Sequence, residues 1–440
     1  MIYSRIYKRF TLLILVSLLA LSSLSIGGCA PSARRNVIAY WISEQLGTTN
    51  LPPSNSPPGS LAGLVEAEGK PLAGATVIVA ERNGTPYHAI SDQQGHYRID
   101  GIPPGQYVPA AVAPGHEETV PLGSLGIPWL VTIRSNEVAE APLIRLPLHV
   151  SLPLPQPLAS SVQLSVTAHF TSATNFPPNS QADVTAYQFV FQGTVVDTLR
   201  LYLPRQLEPT TQLPMLFMVY PSPVDLWVDI STAYAAQGYA LVAISPMAAH
   251  ELDVDAHAQD ARVALALANS GALSPHIKAG KAVALGGSFS SAILIRLLRD
   301  VDSDKGEGEI VAWVSVGGIA NAFTGTADFY AGRIEMPPQY RLLIPALGPA
   351  NLYPLAFLRY SPVYVASEFP PTMIVHTAAD RIIPISQAEE LEAQLRRANI
   401  PVEAFYYDDV SHYLQIGDDM TAAGTEMFWR ILKFIEQWHN

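Results

Sequence analysis

The stretch AVALGGSFSSAIL (residues 282–294) runs apolar through Leu285, breaks at two glycines, presents Ser288, and resumes with small and aliphatic residues. A near-continuous apolar run reads as a strand buried on both faces, and the segment SSAILIRLLRD after it carries helical spacing. Ser288 therefore falls in a strand-to-helix turn. A serine there either caps the helix or stands as a nucleophile on a sharp elbow that admits only small neighbours. The elbow pattern Gly-x-Ser-x-Gly appears here as Gly286-Gly287-Ser288-Phe289-Ser290, with a serine in place of the last glycine.

Outward from this point the pattern repeats. LPMLFMVY, YALVAIS, KAVALGG, IVAWVSV, TMIVHT and VEAFYY read as strands, and DVDAHAQDARVALALAN, SSAILIRLLRD, SQAEELEAQLRRAN and TEMFWRILKFIEQW as helices between or after them. Apolar strands alternating with helices make a mostly parallel α/β sheet, whose chemistry sits at the carboxyl ends of the strands. A nucleophilic serine needs a histidine to take its proton and an acid to hold the imidazole. Asp380 follows TMIVHT and precedes a helix; His412 follows the next strand in YYDDVSHYLQ. The order Ser288, Asp380, His412 is the one an elbow enzyme requires. Asp408 and Asp409 compete as the acid, but lie close before His412 and suit a loop better. His376 reads as packing beside the acid turn, and His250 and His257 as exposed residues flanking a helix start.

The words HTAADRIIP and the three motifs together resemble the α/β-hydrolase superfamily of serine hydrolases, in its prolyl oligopeptidase or dienelactone hydrolase-like branch, over residues 184–440. RYSPVYVA (residues 359–366) recurs in that branch ahead of the acid strand. The resemblance implies an oxyanion hole, with one donor the amide of Phe289. The second is expected from Tyr220-Pro221-Ser222-Pro223: proline has no N–H, which leaves the Ser222 amide or the Tyr220 hydroxyl. Residues of about 320–368 form an insertion long enough to be a lid, its aromatics making either a small core of their own or a pocket wall.

The amino-terminal third is of another kind. Arg5, Lys8 and Arg9, an apolar run and the small residues IGGC at residues 26–29 follow the order of a secretory signal, and the ending resembles a bacterial lipobox. Cys29 is the single cysteine, expected to carry lipid and so to tether the chain to a membrane on its extracytoplasmic side, in the cell envelope. Loss of residues 1–28 removes three bases and no acid, taking the formal charge from -12 to -15. An acidic body argues against nucleic-acid partners. Residues 29–59, ending in a Pro/Ser stretch, read as a tether. Residues 60–150 show short alternating runs and turn pairs, an all-β module. GLVEAEGKPLAGATVIV and SDQQGHYRIDGIPPGQYVPAAVAPGH within it resemble the carboxypeptidase regulatory-like domain, which implies a prealbumin-like sandwich of seven or so strands. Its His88, His96 and His116 lack ligand spacing. A Pro-rich linker at residues 151–160 leads to the hydrolase-like domain, 161–440.

No zinc pattern, phosphate loop or dinucleotide fingerprint occurs, so neither metal nor cofactor is expected. The expectation is a lipid-anchored serine hydrolase of carboxylic esters, with a short-peptide hydrolase as the runner-up and an inactive surface-binding lipoprotein as the rival from another class.

Overall fold

The computed structural model describes residues 31–46, 56–123, 126–151, 154, 158–301, 307–408 and 421–439. Its centre is a nine-stranded sheet: β11 Gln163–Thr174, β12 Ser180–Phe191, β13 Thr194–Pro204, β14 Leu213–Val219, β15 Ala240–Ile244, β16 Ile277–Ser288, β17 Glu309–Gly318, β18 Thr372–Thr377 and β19 Val402–Tyr407, numbered after ten short strands upstream. The spatial order is β11-β12-β13-β15-β14-β16-β17-β18-β19. The first three strands pair antiparallel, β13 meets β15 antiparallel, and β14 to β19 run parallel to one another. The α/β expectation holds.

Side-chain alternation splits the sheet into two cores. Met215, Phe217, Val219 and Ala284 point to one face, where α3 (Val254–Asn269), α4 (Ser290–Asp300) and α8 (Ile385–Arg397) pack. Leu216, Met218, Val283 and Leu285 point to the other, under α2 (Val228–Ala235) and α9 (Ala422–His439). The chain leaves β14 for β15 on one side and then crosses to β16 on the other. That reversal opens a crevice at the carboxyl ends of β14 and β16, the place where parallel sheets bind ligands.

Upstream, β1 Gly59–Ala67, β2 Lys70–Pro71, β3 Thr76–Ala80, β4 Pro86–Ile90, β5 His96–Ile102, β6 Gly105–Tyr107, β7 Ala110–Val112, β8 Val131–Ile133, β9 Val138–Glu140 and β10 Ile144–Leu146 form sheets of five, three and two strands. Leu61, Val77, Tyr97, Ile99 and Ile133 fill the space between them. The module is not a spacer: β3 is buried on both faces, and Ile78 and Val112 join the large core that also contains Phe323 and Phe357.

Those two aromatics, stacked with centroids 5.3 Å apart, belong to the insertion, which folds as α5 (Ala322–Tyr330), α6 (Leu343–Leu347), α7 (Pro354–Leu358) and short 3₁₀ turns. Within the stretch read as a tether, α1 (Pro31–Leu46) is helical and docks on the insertion, Asn36 Nδ2 donating to the Ala346 carbonyl at 3.0 Å. Cys29 and the signal-like segment lie outside the described residues. Among those described, no helix is long and apolar enough to cross a membrane.

Candidate active site

Ser288 ends β16 with φ +51°, in the left-handed region that costs a non-glycine residue about 1–3 kcal/mol and persists only where the surroundings dictate it. The neighbours do dictate it. A Cβ on Gly287 would stand 1.8 Å from the Val316 carbonyl of β17, and one on Gly286 would stand 2.6 Å from Leu294 Cδ1 and 2.9 Å from the Val219 carbonyl. Strand and helix therefore close on the turn as tightly as bare backbone allows.

Ser290, in the position of the missing glycine, is fully buried, and its hydroxyl donates to the Gly287 carbonyl at 2.8 Å while accepting the Gly287 N–H at 3.0 Å. The departure from the pattern is thus a brace across the elbow. A serine two residues after the candidate nucleophile was visible in the sequence; its bonding to Gly287 was not.

Phe289 begins the turn into α4 in helical conformation, so its amide stands at the positive end of the helix beside Ser288. Its ring is held between His257, edge-on at 5.9 Å, and Tyr360 at 6.0 Å. His257 is buried rather than exposed: Nδ1 accepts from the Met247 amide at 3.3 Å and Nε2 donates to the Glu251 carbonyl at 3.2 Å. Burial pushes its pKa down, in keeping with a neutral ring. His250 is also largely covered, with Nε2 2.8 Å from Asp260 Oδ2. Burial lifts the Asp260 carboxyl to about 6, against the pull of His250. Both histidines were expected at the surface; the folding of the 248–253 turn over α3 encloses them.

The second loop carries Tyr220 and Ser222. Tyr220 stacks on Trp227 with centroids 4.9 Å apart and 5° between the planes, and its hydroxyl lies 2.7 Å from Ser231 Oγ. Ser231 Oγ donates its own proton to the Trp227 carbonyl at 2.7 Å. The tyrosine hydroxyl thus lies inside the core, against Ser231 Oγ and against Met218 Sδ at 2.9 Å. Ser222 remains at the wall of the cleft, its Oγ fixed by the Trp227 indole N–H at 2.8 Å.

Asp380 is 6 % exposed, in the turn after β18. Its Oδ1 accepts the amides of Ile382 at 2.8 Å and Ile383 at 2.9 Å, which fixes the carboxylate plane and leaves Oδ2 for other partners. His376 Nε2 lies 3.6 Å from Oδ2 and donates to the Ile383 carbonyl at 2.8 Å, so this histidine braces the acid turn.

The sheet register brings the pieces to one edge: Ser288 pairs with Gly318, Val316 with Val375, and Thr377 with Tyr407. Two strand spacings of about 4.8 Å separate β16 from β18, a gap of the size an imidazole and its hydrogen bonds fill. The chain leaves β19 at this same edge. His412, with Asp409, lies outside the described residues; Asp408 is described and exposed.

A cavity of about 880 Å³ opens over the elbow, lined by Ser288, Phe289, Ser222 and Tyr220 together with aliphatic residues from α2, the insertion and α9. Gln387, from α8, holds the insertion against it: Oε1 accepts the amides of Ala320 at 3.0 Å and Asn321 at 2.7 Å, and Nε2 donates to Thr324 Oγ1 at 2.9 Å. Sequence reading passed over this glutamine because its partners lie more than sixty positions away. Among the described residues no group of three or more His, Cys, Asp or Glu is placed to hold a metal ion.

Among solved structures, the chain is similar to Thermogutta terrifontis esterase 2 phosphonylated by sarin, at 14% identity and TM-score 0.43 over 56% of this chain and 91% of the other. A truncated carbohydrate esterase from gut microbiota gives 15% identity and TM-score 0.42 over 55% of this chain and 91% of that one. Pyrococcus horikoshii acylaminoacyl peptidase gives 12% and 0.43, covering 83% of this chain but only 54% of its own length. These likenesses are distant, and the chemistry of the site stands on its own geometry. No curated protein matches the chain. Residues 60–126 match the carboxypeptidase regulatory-like domain, the resemblance expected for the β-module.

Proposed function

We propose that the protein is a serine hydrolase that cleaves carboxylic esters through Ser288, His412 and Asp380. The observation that carries this is the strained φ of +51° at Ser288, on the floor of an 880 Å³ cavity and two strands from a buried, oriented carboxylate. Strain of this sort at the mouth of a cleft is what a nucleophile requires and a helix cap does not.

In this reading His412 takes the Ser288 proton as Oγ attacks the ester carbonyl carbon. The negative charge that forms on the carbonyl oxygen is met by the amides of Phe289 and Ser222, each such donor being worth about 10²–10³ in rate. The C–O bond to the alcohol then breaks, His412 returns the proton to the departing alkoxide, and an acyl-Ser288 intermediate remains. Water then attacks the acyl carbon as the same histidine takes its proton, the bond to Ser288 Oγ breaks, and His412 returns the proton to Oγ as the acid leaves. Asp380 holds the imidazole tautomer and its transient positive charge.

The amino-terminal signal and Cys29 support a lipid anchor on the extracytoplasmic side of a bacterial membrane, as a further part of the proposal. Metabolic labelling with a fatty acid, abolished by Cys29→Ser, tests it.

The test of the chemistry is labelling by a fluorophosphonate probe with turnover of a nitrophenyl ester, in the intact protein and in Ser288→Ala. Labelling should vanish and kcat fall by roughly 10⁴-fold or more in the variant. A folded protein that takes no label is a binding protein and not a hydrolase, and faster turnover of peptide amides than of esters makes it a peptidase.

A further inference from the structure

The wall of the cavity at Gly325 has no packing explanation. Gly325 is the fourth residue of the nine in α5, a position where glycine destabilises a helix relative to alanine. A Cβ built there meets only Gln387 Nε2, at an ordinary 3.8 Å. No neighbour forbids a side chain, in contrast to Gly286 and Gly287. The helix is not loose either: Asn321 caps it, with Oδ1 accepting from Phe323 and Thr324, and Gln387 clamps its first turn. What the glycine leaves is room in the cavity that it lines.

The rest of the lining fits one kind of occupant. Leu226 and Trp227, Ile344 and Leu347, and Met427 and Phe428 converge on it from three separate parts of the chain. Among the described residues no lysine or arginine lines it, and its charged groups are the carboxylates of Asp229 and Glu251. An anionic group entering there meets like charge and no counter-charge. The volume, about 880 Å³, lies in the upper part of the ~300–1,000 Å³ range of small-ligand sites.

We infer that the cavity takes a neutral, apolar hydrocarbon chain of the ester substrate, and that Gly325 sets how long a chain fits. This rests on the hydrolase reading above and adds the substrate class to it. Each methylene buried contributes about 0.8 kcal/mol, close to fourfold in kcat/KM if fully realised.

The experiment uses two ester series on the full chain, nitrophenyl esters from acetate to octanoate and acetate esters of alcohols of increasing length. In one of them kcat/KM should rise about two- to fourfold per methylene; the first series rising places the chain on the acyl side, the second on the alcohol side. In the series that rises, a longest member ending in a carboxylate should be at least tenfold slower than the one ending in a methyl. Gly325→Leu should lower the ratio of kcat/KM between the longest and shortest esters of that series at least tenfold. Gly325→Ala, which fits the helix without strain, should lower it about threefold and raise Tm, so the inference is tested even where the leucine variant fails to fold. A flat or falling profile in both series, or an unchanged ratio in both variants, overturns it. Fluorophosphonate labelling of Ser288 in the intact protein is read separately: label with flat profiles rejects the chain-length inference alone, and no label rejects the hydrolase reading beneath it.

Discussion

The two ends of α4 are built on opposite physical principles. At its amino end, the elbow is held by shape: Gly286 and Gly287 let backbones touch, Ser290 ties the turn, and the cavity beyond is mainly apolar. About 10 Å further along the helix, Arg296 and Arg299 bury charge, with side chains 8% and 2% exposed. Both meet Glu118 of the β-module, itself 3% exposed, through Arg296 Nη1 at 3.0 Å and Arg299 Nη1 at 3.2 Å; Arg359 of the insertion adds a third contact at 3.2 Å. Burial works to raise the Glu118 carboxyl, but Arg296 and Arg299 overcome it and hold it low. His149 Nδ1 closes the group at 2.5 Å from Glu117 Oε1, with Nε2 2.9 Å from Asp300 Oδ1 at the end of α4. One helix therefore joins the candidate nucleophile to a second domain: contact tolerances govern one end, and paired charge the other.

The sharpest way to break this contrast is Glu118→Ala. Removing one acid leaves buried arginines without their central partner, which should lower the unfolding free energy by about 3–5 kcal/mol in a denaturant titration. The folded fraction should still take a fluorophosphonate label. Loss of label with stability intact would show that the ionic end holds the elbow directly. Gly287→Ala asks the reverse question. Its Cβ, 1.8 Å from the Val316 carbonyl, must part β16 from β17, so kcat should fall about 10²-fold for a stability loss of about 1–3 kcal/mol. A fully active alanine variant would mean that the elbow tolerates slack.

The smallest effect is a pH dependence confined to the ionic end. Asp300 and then Glu117 raise His149 to about 9, against burial. The stability this histidine contributes is fully present below its unfolded value near 6.5 and is lost as pH rises through about 9. For Glu117 burial acts to raise the carboxyl, but the hydrogen bond from His149 and the charge of Arg296 bring it to about 2; its contribution is present above about 4.5 and fades as pH falls through 2. Tm should therefore decline between pH 7 and 9, and His149→Gln should flatten that decline.

The same contrast separates what the sequence makes legible from what it does not. Strands such as LPMLFMVY and YALVAIS announce themselves because both faces are apolar, and Gly-Gly-Ser marks a turn because only small residues fit it. The place of Asp380 in a turn between strand and helix was legible, and the structure adds the two amides that hold its carboxylate. The partners of Tyr220 were not legible, since a hydroxyl at a strand end carries no sign of which way it bonds until Ser231 and Trp227 are in place. His257 was misjudged for the same reason.

Taken by itself, the chain of residues determined the alternation of strands and helices and the turns that carry Ser288 and Asp380, because periodicity and turn chemistry act over a few neighbours. Only the tertiary structure decided that Glu118 meets Arg296 and Arg299, that the β-module shares a core with the insertion, and that Gly325 faces open volume. The Glu118 pairs join residues 178 and 181 positions apart, and no local pattern encodes a charge partner or an empty space that arises only once separate elements have packed.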